Sequence, residues 1–176
     1  MAKHLMCDLE TLATTPNAAI LSLGAVTFDP NSDQIFDIFY RKICLDSLNK
    51  LDHFIDDETI KWWSNQSKQA QDEAFGQDNR IDIELVMNDF YKFCQGCTAF
   101  WSHGSSFDLV ILEHYFREIK KPSPWNFWQI RDTRTLFDLG FDPEMSKENL
   151  HHALEDARRQ AIGVQTIFKK LDRKFR

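Results

Sequence analysis

Hydrophobic positions follow one period near the start of the chain and another through most of the rest. His4 to Leu9 is a short apolar run, Ile20 to Phe28 is a second, and Gln34 to Ile43 sets Ile35, Asp37 and Phe39 against Phe36, Ile38 and Tyr40. Side chains alternate sides along an extended backbone, so these segments predict three strands. Asp29-Pro30-Asn31-Ser32-Asp33 is strong turn chemistry and makes the second and third strands an antiparallel pair. The middle is helical. Asp57 can cap a short helix through Thr59, Ile60, Trp62 and Trp63, further helix follows from Ser67 to Phe75, and Ile81 to Cys94 reads as a third, closed by Gly96. A strand over Ala99 to Ser102, a Gly/Ser turn and a helix from Phe107 to Ile119 come next, then an apolar piece at Phe127 to Ile130 and a short helix over Thr133 to Leu139. The last helix has the clearest period. Leu150, Leu154, Ala157, Ala161, Val164, Phe168 and Leu171 step alternately by four and three, which makes one apolar stripe over about six turns. Strands first, then strands alternating with helices, predict an α/β fold with a mixed sheet covered by helices.

Composition narrows this picture. The chain has 176 residues, enough for a single domain over 1–176, and its 43% hydrophobic content is too high for a disordered chain. No apolar run approaches the roughly 18–20 residues of a membrane span. Met1 to Asp8 lacks the apolar core of a secretory signal, so the expectation is a cytoplasmic protein. Cys7, Cys44, Cys94 and Cys97 are too few for a secreted disulfide framework. Cys94-Gln-Gly-Cys97 closes a helix where a thioredoxin motif would open one, so it reads as structural. With 21 basic against 27 acidic residues the net charge is -6, which argues against a general nucleic-acid coat protein. It leaves room for an enzyme whose own carboxylates bind metal.

Four acids suggest such chemistry. Asp8 and Glu10, two apart at the end of the first strand, project to the same side. Asp108 opens a helix after the Ser102–Phe107 turn, where the helix N-terminus favours an anion. Asp156 lies about 120° from the centre of the last helix's apolar stripe, at its margin, where a carboxylate is costly unless paired or metal-bound. Each is weak evidence alone, since solvated charges explain any one of them. Four hard oxygen ligands on separate elements suit Mg²⁺ or Mn²⁺ rather than zinc. Two such ions would cancel four carboxylates and let a polyanion approach.

Asp8-Leu9-Glu10-Thr11, Phe107-Asp108 and His151-His152-Ala153-Leu154-Glu155-Asp156 resemble, in order, the three motifs of the DEDDh exonucleases. Thr59-Ile60-Lys61-Trp62-Trp63-Ser64-Asn65-Gln66-Ser67, with Phe127-Trp128 and Arg131-Asp132-Thr133-Arg134-Thr135, is similar to the exonuclease A branch of T-even phages and its bacterial 3′-5′ exoribonuclease relatives. The resemblance implies a ribonuclease-H-like fold with a five-stranded mixed sheet, its first three strands antiparallel and the others parallel, flanked by helices. It implies hydrolytic removal of nucleoside 5′-monophosphates from 3′ ends, most readily single-stranded DNA or RNA. It makes Asp8, Glu10, Asp108 and Asp156 ligands of two divalent ions, Mg²⁺ or Mn²⁺, and His151 the general base. Helical spacing by itself would choose His152, 40° from Asp156 where His151 is 140° away; the motif register holds if His151 precedes the regular helix, which could start near Asn149. Thr11 and Leu12 are expected at the terminal nucleotide, Trp63 to stack on a base, with Trp62 in the core, and Arg134 to meet a phosphate or pair with a neighbouring acid. The alternatives are a silent nucleic-acid-binding subunit on the same fold and a hydrolase of dinucleotides or small nucleotides. The family includes homodimers, and the aromatic-rich middle could supply such an interface. DNA or RNA preference is undeclared by any residue.

Overall fold

A computed structural model describes residues 2–139 and 151–171. The N-terminal pattern forms β1 (His4–Thr11), β2 (Ile20–Phe28) and β3 (Ile35–Ile43), an antiparallel meander. After a 3-10 turn come α1 (Asp57–Ser64), α2 (Lys68–Phe75), β4 (Arg80–Ile81), α3 (Ile83–Phe93), β5 (Ala99–Ser102) and α4 (Asp108–Glu118). A second 3-10 turn at Phe127–Gln129 leads to β6 (Ile130–Asp132), α5 (Thr133–Phe137) and finally α6 (Ala153–Lys170).

The strands make one mixed sheet in the order β4-β3-β2-β1-β5-β6, with β5 parallel to β1, β6 parallel to β5 and β4 parallel to β3. The sheet has six strands where five were expected. The extra one, β4, is two residues held against Lys42 and Ile43, too short to carry any alternation. Ile81 accordingly leaves the helix it was assigned to, and α3 begins at Ile83 with Asp82 accepting from the Glu84 amide at 2.9 Å. Likewise α1 is capped by Asp56, one residue earlier than expected, through the Glu58 amide. Leu150 and Asn149 lie outside the described residues.

Alternation along β1 assigns its faces. Leu5, Cys7 and Leu9 join the larger core, built with β2, α3 and α4, while Met6 packs with Val26, Phe28, Trp101 and the Ala157–Ala161–Val164 stripe of α6. Asp8 and Glu10 share the face of Met6, so they point toward α6. A register shift between Glu10 and Thr11 ends the regular pairing with β2 just past the two acids. Helix α6 can lie close because β2 carries Gly24 opposite Asp8: a Cβ there would stand 2.2 Å from the backbone of Ala153 and of Leu154. Glycine within a strand marks this kind of backbone approach. No described helix is long and apolar enough to cross a membrane.

Candidate active site

Asp8 and Glu10 come from the end of β1, Asp108 from the first position of α4, and Asp156 from the first turn of α6. Oxygen atoms of Asp8, Glu10 and Asp156 all lie within 4.8 Å of one another. Asp108 sits beside this group, its Oδ1 accepting the Leu9 amide at 3.1 Å, which ties α4 to β1 between the two strand acids. All four acids, with His151, His103 and Phe107, line a pocket of about 280 Å³.

Electrostatics at the pocket are unfavourable without a cation. Burial, reinforced by the charges of Asp108 and Glu10, raises Asp8 well above the ordinary carboxylate range. Glu10 is pushed from 4.5 to about 8 by burial and by Asp108. Burial carries Asp108 from 3.8 to about 7 against the Leu9 amide hydrogen bond, which favours its anion. Two side chains of α6 offset part of this charge. Arg159 pairs with Asp156, and Gln160 donates from Nε2 to Asp8 Oδ1 at 2.9 Å. The Gln160 Oε1 atom is buried with no hydrogen-bond partner among the described residues. A set of carboxylate oxygens this close, on rigid elements and short of positive charge, fits hard divalent ions.

His151 belongs to this pocket and His152 does not line it. The regular helix starts at Ala153 with His152 as its N-cap, so His151 lies before it, in the left-handed region at φ 64. Its amide donates to Asp156 Oδ2 at 2.9 Å, fixing the histidine's backbone to a candidate ligand. The start of the helix at Ala153 thus leaves His151, and not His152, facing the pocket of acids. Burial and the nearby Arg159 charge lower the His151 pKa.

Beside the acids a second pocket, about 450 Å³, is lined by Leu9, Glu10, Thr11, Thr14, Asp56, Glu58, Thr59, Trp62, Trp63 and Phe107. The two tryptophans take opposite parts from those expected. Trp63 is 1% exposed and donates from Nε1 to the Thr11 carbonyl at 2.9 Å, whereas Trp62 is 44% exposed. Adjacent helical positions point about 100° apart, and the face of α1 that meets the core is the one carrying Trp63. Both rings meet His151 edge-on, at centroid distances of 4.9 Å for Trp62 and 6.0 Å for Trp63. Thr11 lines the pocket, but Leu12 is buried, its amide and carbonyl both engaged, with Ala19 and Asp56. Arg134 is exposed and donates at 3.3 Å to the carbonyl of His103, a residue that lines the pocket of acids. The preceding Asp132 accepts the Ser105 amide at 2.6 Å and the Arg134 amide at 2.8 Å, holding the loop before Asp108 against α5.

Sequence reasoning missed Gly24, Arg159 and Gln160, and it took Trp63 rather than Trp62 for the exposed ring. Only Gly24 carried a usable signal, a lone glycine inside an apolar strand; the others depend on helix orientation.

Comparison with known proteins places the chain among exonucleases. The family model for the Rv2179c-like 3′-5′ exoribonuclease domain matches residues 3–168. An exodeoxyribonuclease of Enterobacteria phage T4 is 30% identical over 156 residues, covering 74% of this chain and 69% of that protein. Among solved structures, exonuclease I matches 97% of this chain with a TM-score of 0.69 at 13% identity, and its zinc-bound E. coli complex with single-stranded DNA matches 98% with a TM-score of 0.70 at 13%. The chain spans only 41% and 42% of those two exonuclease I chains, so they establish the fold alone. Taken with the family match over nearly its whole length, the chain belongs to the Rv2179c-like 3′-5′ exoribonuclease domain family, within the DEDDh exonucleases.

Proposed function

We propose that this chain hydrolyses the terminal phosphodiester at the 3′ end of single-stranded DNA or RNA, releasing nucleoside 5′-monophosphates. The observation that carries this reading is the convergence of Asp8, Glu10 and Asp156 oxygens within 4.8 Å, with Asp108 and His151 on the same pocket. The four carboxylates would hold two divalent ions, Mg²⁺ or Mn²⁺. When bound, such ions supply positive charge at the attacking and leaving oxygens of a phosphoryl displacement. His151 is the general base: its lowered pKa keeps the ring neutral near pH 7, ready to accept a proton from the attacking water. Its backbone bond to Asp156 keeps it beside the carboxylates. The neighbouring pocket suits the terminal nucleotide, with Thr11 at its wall and the exposed Trp62, rather than the buried Trp63, offering a stacking face. Arg134, exposed and bonded to the carbonyl of the pocket-lining His103, would meet a substrate phosphate.

One relative is an exodeoxyribonuclease and the matched family is of exoribonucleases, so both polymers belong in the test. Matched 5′-labelled single-stranded DNA and RNA are titrated with Mg²⁺ and Mn²⁺, wild type beside Asp8→Ala. A metal-dependent ladder shortening from the 3′ end, absent in the variant, is the expected result, and the faster substrate identifies the sugar. Failure of wild type to cut either polymer with both metals would overturn the reading and turn attention to dinucleotides or a binding role.

A further inference from the structure

The row Asp8, Gly24 and Tyr40 crosses three adjacent strands, with Asp8 opposite Gly24 on β2 and Gly24 opposite Tyr40 on β3. Directly opposite residues share a face of the sheet, here the one under α6. Gly24 leaves a gap that the backbone of Ala153 and Leu154 fills, and Tyr40 stands on its far side. The Tyr40 ring stacks on His152 with centroids 4.6 Å apart and planes at 28°. Its hydroxyl donates to Glu73 on α2, whose carboxylate also pairs with Lys42 at 3.0 Å and lies 3.9 Å from His152 Nε2. His152 is therefore gripped on its ring by β3 and α2, while its carbonyl accepts the Asp156 amide at 2.9 Å. The residue before it, His151, sits at φ 64, a conformation that costs a non-glycine residue energy and persists only where neighbours enforce it.

We infer that His152, stacked on Tyr40, is a positioning residue that holds the strained His151 turn over the carboxylates, and that it acts through its ring as a stacked plate and not through a proton. Neither nitrogen serves the acid cluster: Nε2 faces Glu73, and Nδ1 is buried with no hydrogen-bond partner among the described residues. This inference rests on the assignment of His151 as general base, and it explains why two adjacent histidines stand there with different duties. A stacking partner can be replaced by another flat ring, whereas a proton carrier cannot.

The test compares wild type with His152→Phe, His152→Ala, Tyr40→Leu and His151→Ala, with melting temperature as the check on folding. Amide hydrogen exchange over 151–158 is followed in metal-free protein, and kcat and KM are measured with metal. His152→Ala and Tyr40→Leu should speed exchange at the His151 amide and lower kcat by about 10–100-fold with KM nearly unchanged, the scale of losing an outer support of a site. His152→Phe should keep slow exchange and stay within about threefold of wild-type kcat, a small cost beside the loss of an outer support. Equal damage from His152→Phe and His152→Ala would overturn the inference, because the nitrogens would then matter. Unchanged exchange in folded His152→Ala would overturn it as well. Wild-type kcat in His151→Ala would instead defeat the general-base assignment, and the exchange pattern would still judge the clamp on its own.

Discussion

Trp62 and Trp63 are neighbours in one helix and should fail in different ways. Removing Trp63 empties a fully buried site and takes away the Nε1–H that the Thr11 carbonyl accepts, so Trp63→Ala should cost about 3–5 kcal/mol in a denaturant melt. Trp62→Ala should leave the melt within about 0.5 kcal/mol. Its effect should appear in substrate affinity, weakened by about 1–3 kcal/mol, or roughly 5–150-fold in KM on an oligonucleotide. The reverse pattern would return the stacking role to Trp63. Asp8 illustrates the opposite trade between stability and activity. Its carboxylate is forced against Asp108 and Glu10, so Asp8→Asn should raise the melting temperature of metal-free protein at pH 8. The same change removes a ligand, and turnover should fall by more than the roughly 10–100-fold typical of outer-shell changes. Calorimetry and a product assay on one sample decide both halves.

At the scale of elements, the site exists because α6 approaches the sheet at Gly24. Gly24→Ala would drive a methyl into the Ala153 and Leu154 backbone, which cannot yield as a flexible side chain would. Overpacking of that kind costs about 1–3 kcal/mol. The helix end would shift outward and carry Asp156 and the His151 turn away from Asp8 and Glu10. We therefore expect kcat to fall by about 100-fold, the scale set by a displacement near 1 Å in a catalytic array. A Gly24→Ala protein with native stability and full kcat would contradict this account of how helix and sheet meet. The β5-to-α4 loop has a comparable support in Asp132, whose two oxygens serve Ser105 on one side and the first turn of α5 on the other.

For the whole molecule, the carboxylate cluster makes stability depend on pH and on metal together. Glu10 moves from 4.5 in an unfolded chain to about 8 when folded, and Asp108 from 3.8 to about 7. The folded state thus binds more protons, and metal-free protein should lose stability as pH rises through this window. His4 acts in the other direction. It is 1% exposed, accepts Trp101 Nε1–H at Nδ1 from 3.1 Å, and is lowered from 6.5 to about 4, mainly by burial, so its contribution is lost as pH falls from 6.5 toward 4. Between pH 6.5 and 8 the carboxylates outweigh His4, His103 and His151, which burial lowers from 6.5 and whose opposing contribution is nearly complete by about pH 7.5, so the melting temperature without metal should decline. Saturating Mg²⁺ or Mn²⁺ should flatten that decline, because bound cation replaces the missing protons, and at 100 times its dissociation constant it adds about 2.7 kcal/mol. Scanning calorimetry at pH 6.5, 7.25 and 8 with and without metal reads the effect; parallel declines in both series would argue against a cation at these acids.

Features that depend on local order were legible along the chain. Two short apolar runs and one alternating run became β1 to β3, the four-and-three stepping of Ala157, Ala161 and Val164 became the buried stripe of α6, and the spacing of Asp8 and Glu10 put both on one face. Alternation and helical period are properties of adjacent residues, so they can be read before the chain folds. The motif order, through its resemblance to a known family, also named the acids and His151. The remainder came from packing between distant segments. That packing recruited a two-residue sixth strand that no local pattern could announce, and it turned Trp63 inward and Trp62 outward according to which side of α1 met the core. It began α6 at Ala153, which set His151 in a strained turn and gave His152 a tyrosine to lean on. These outcomes rest on contacts between residues far apart in the chain, such as Gly24 with Ala153 and Tyr40 with His152, and no window of neighbouring residues contains them.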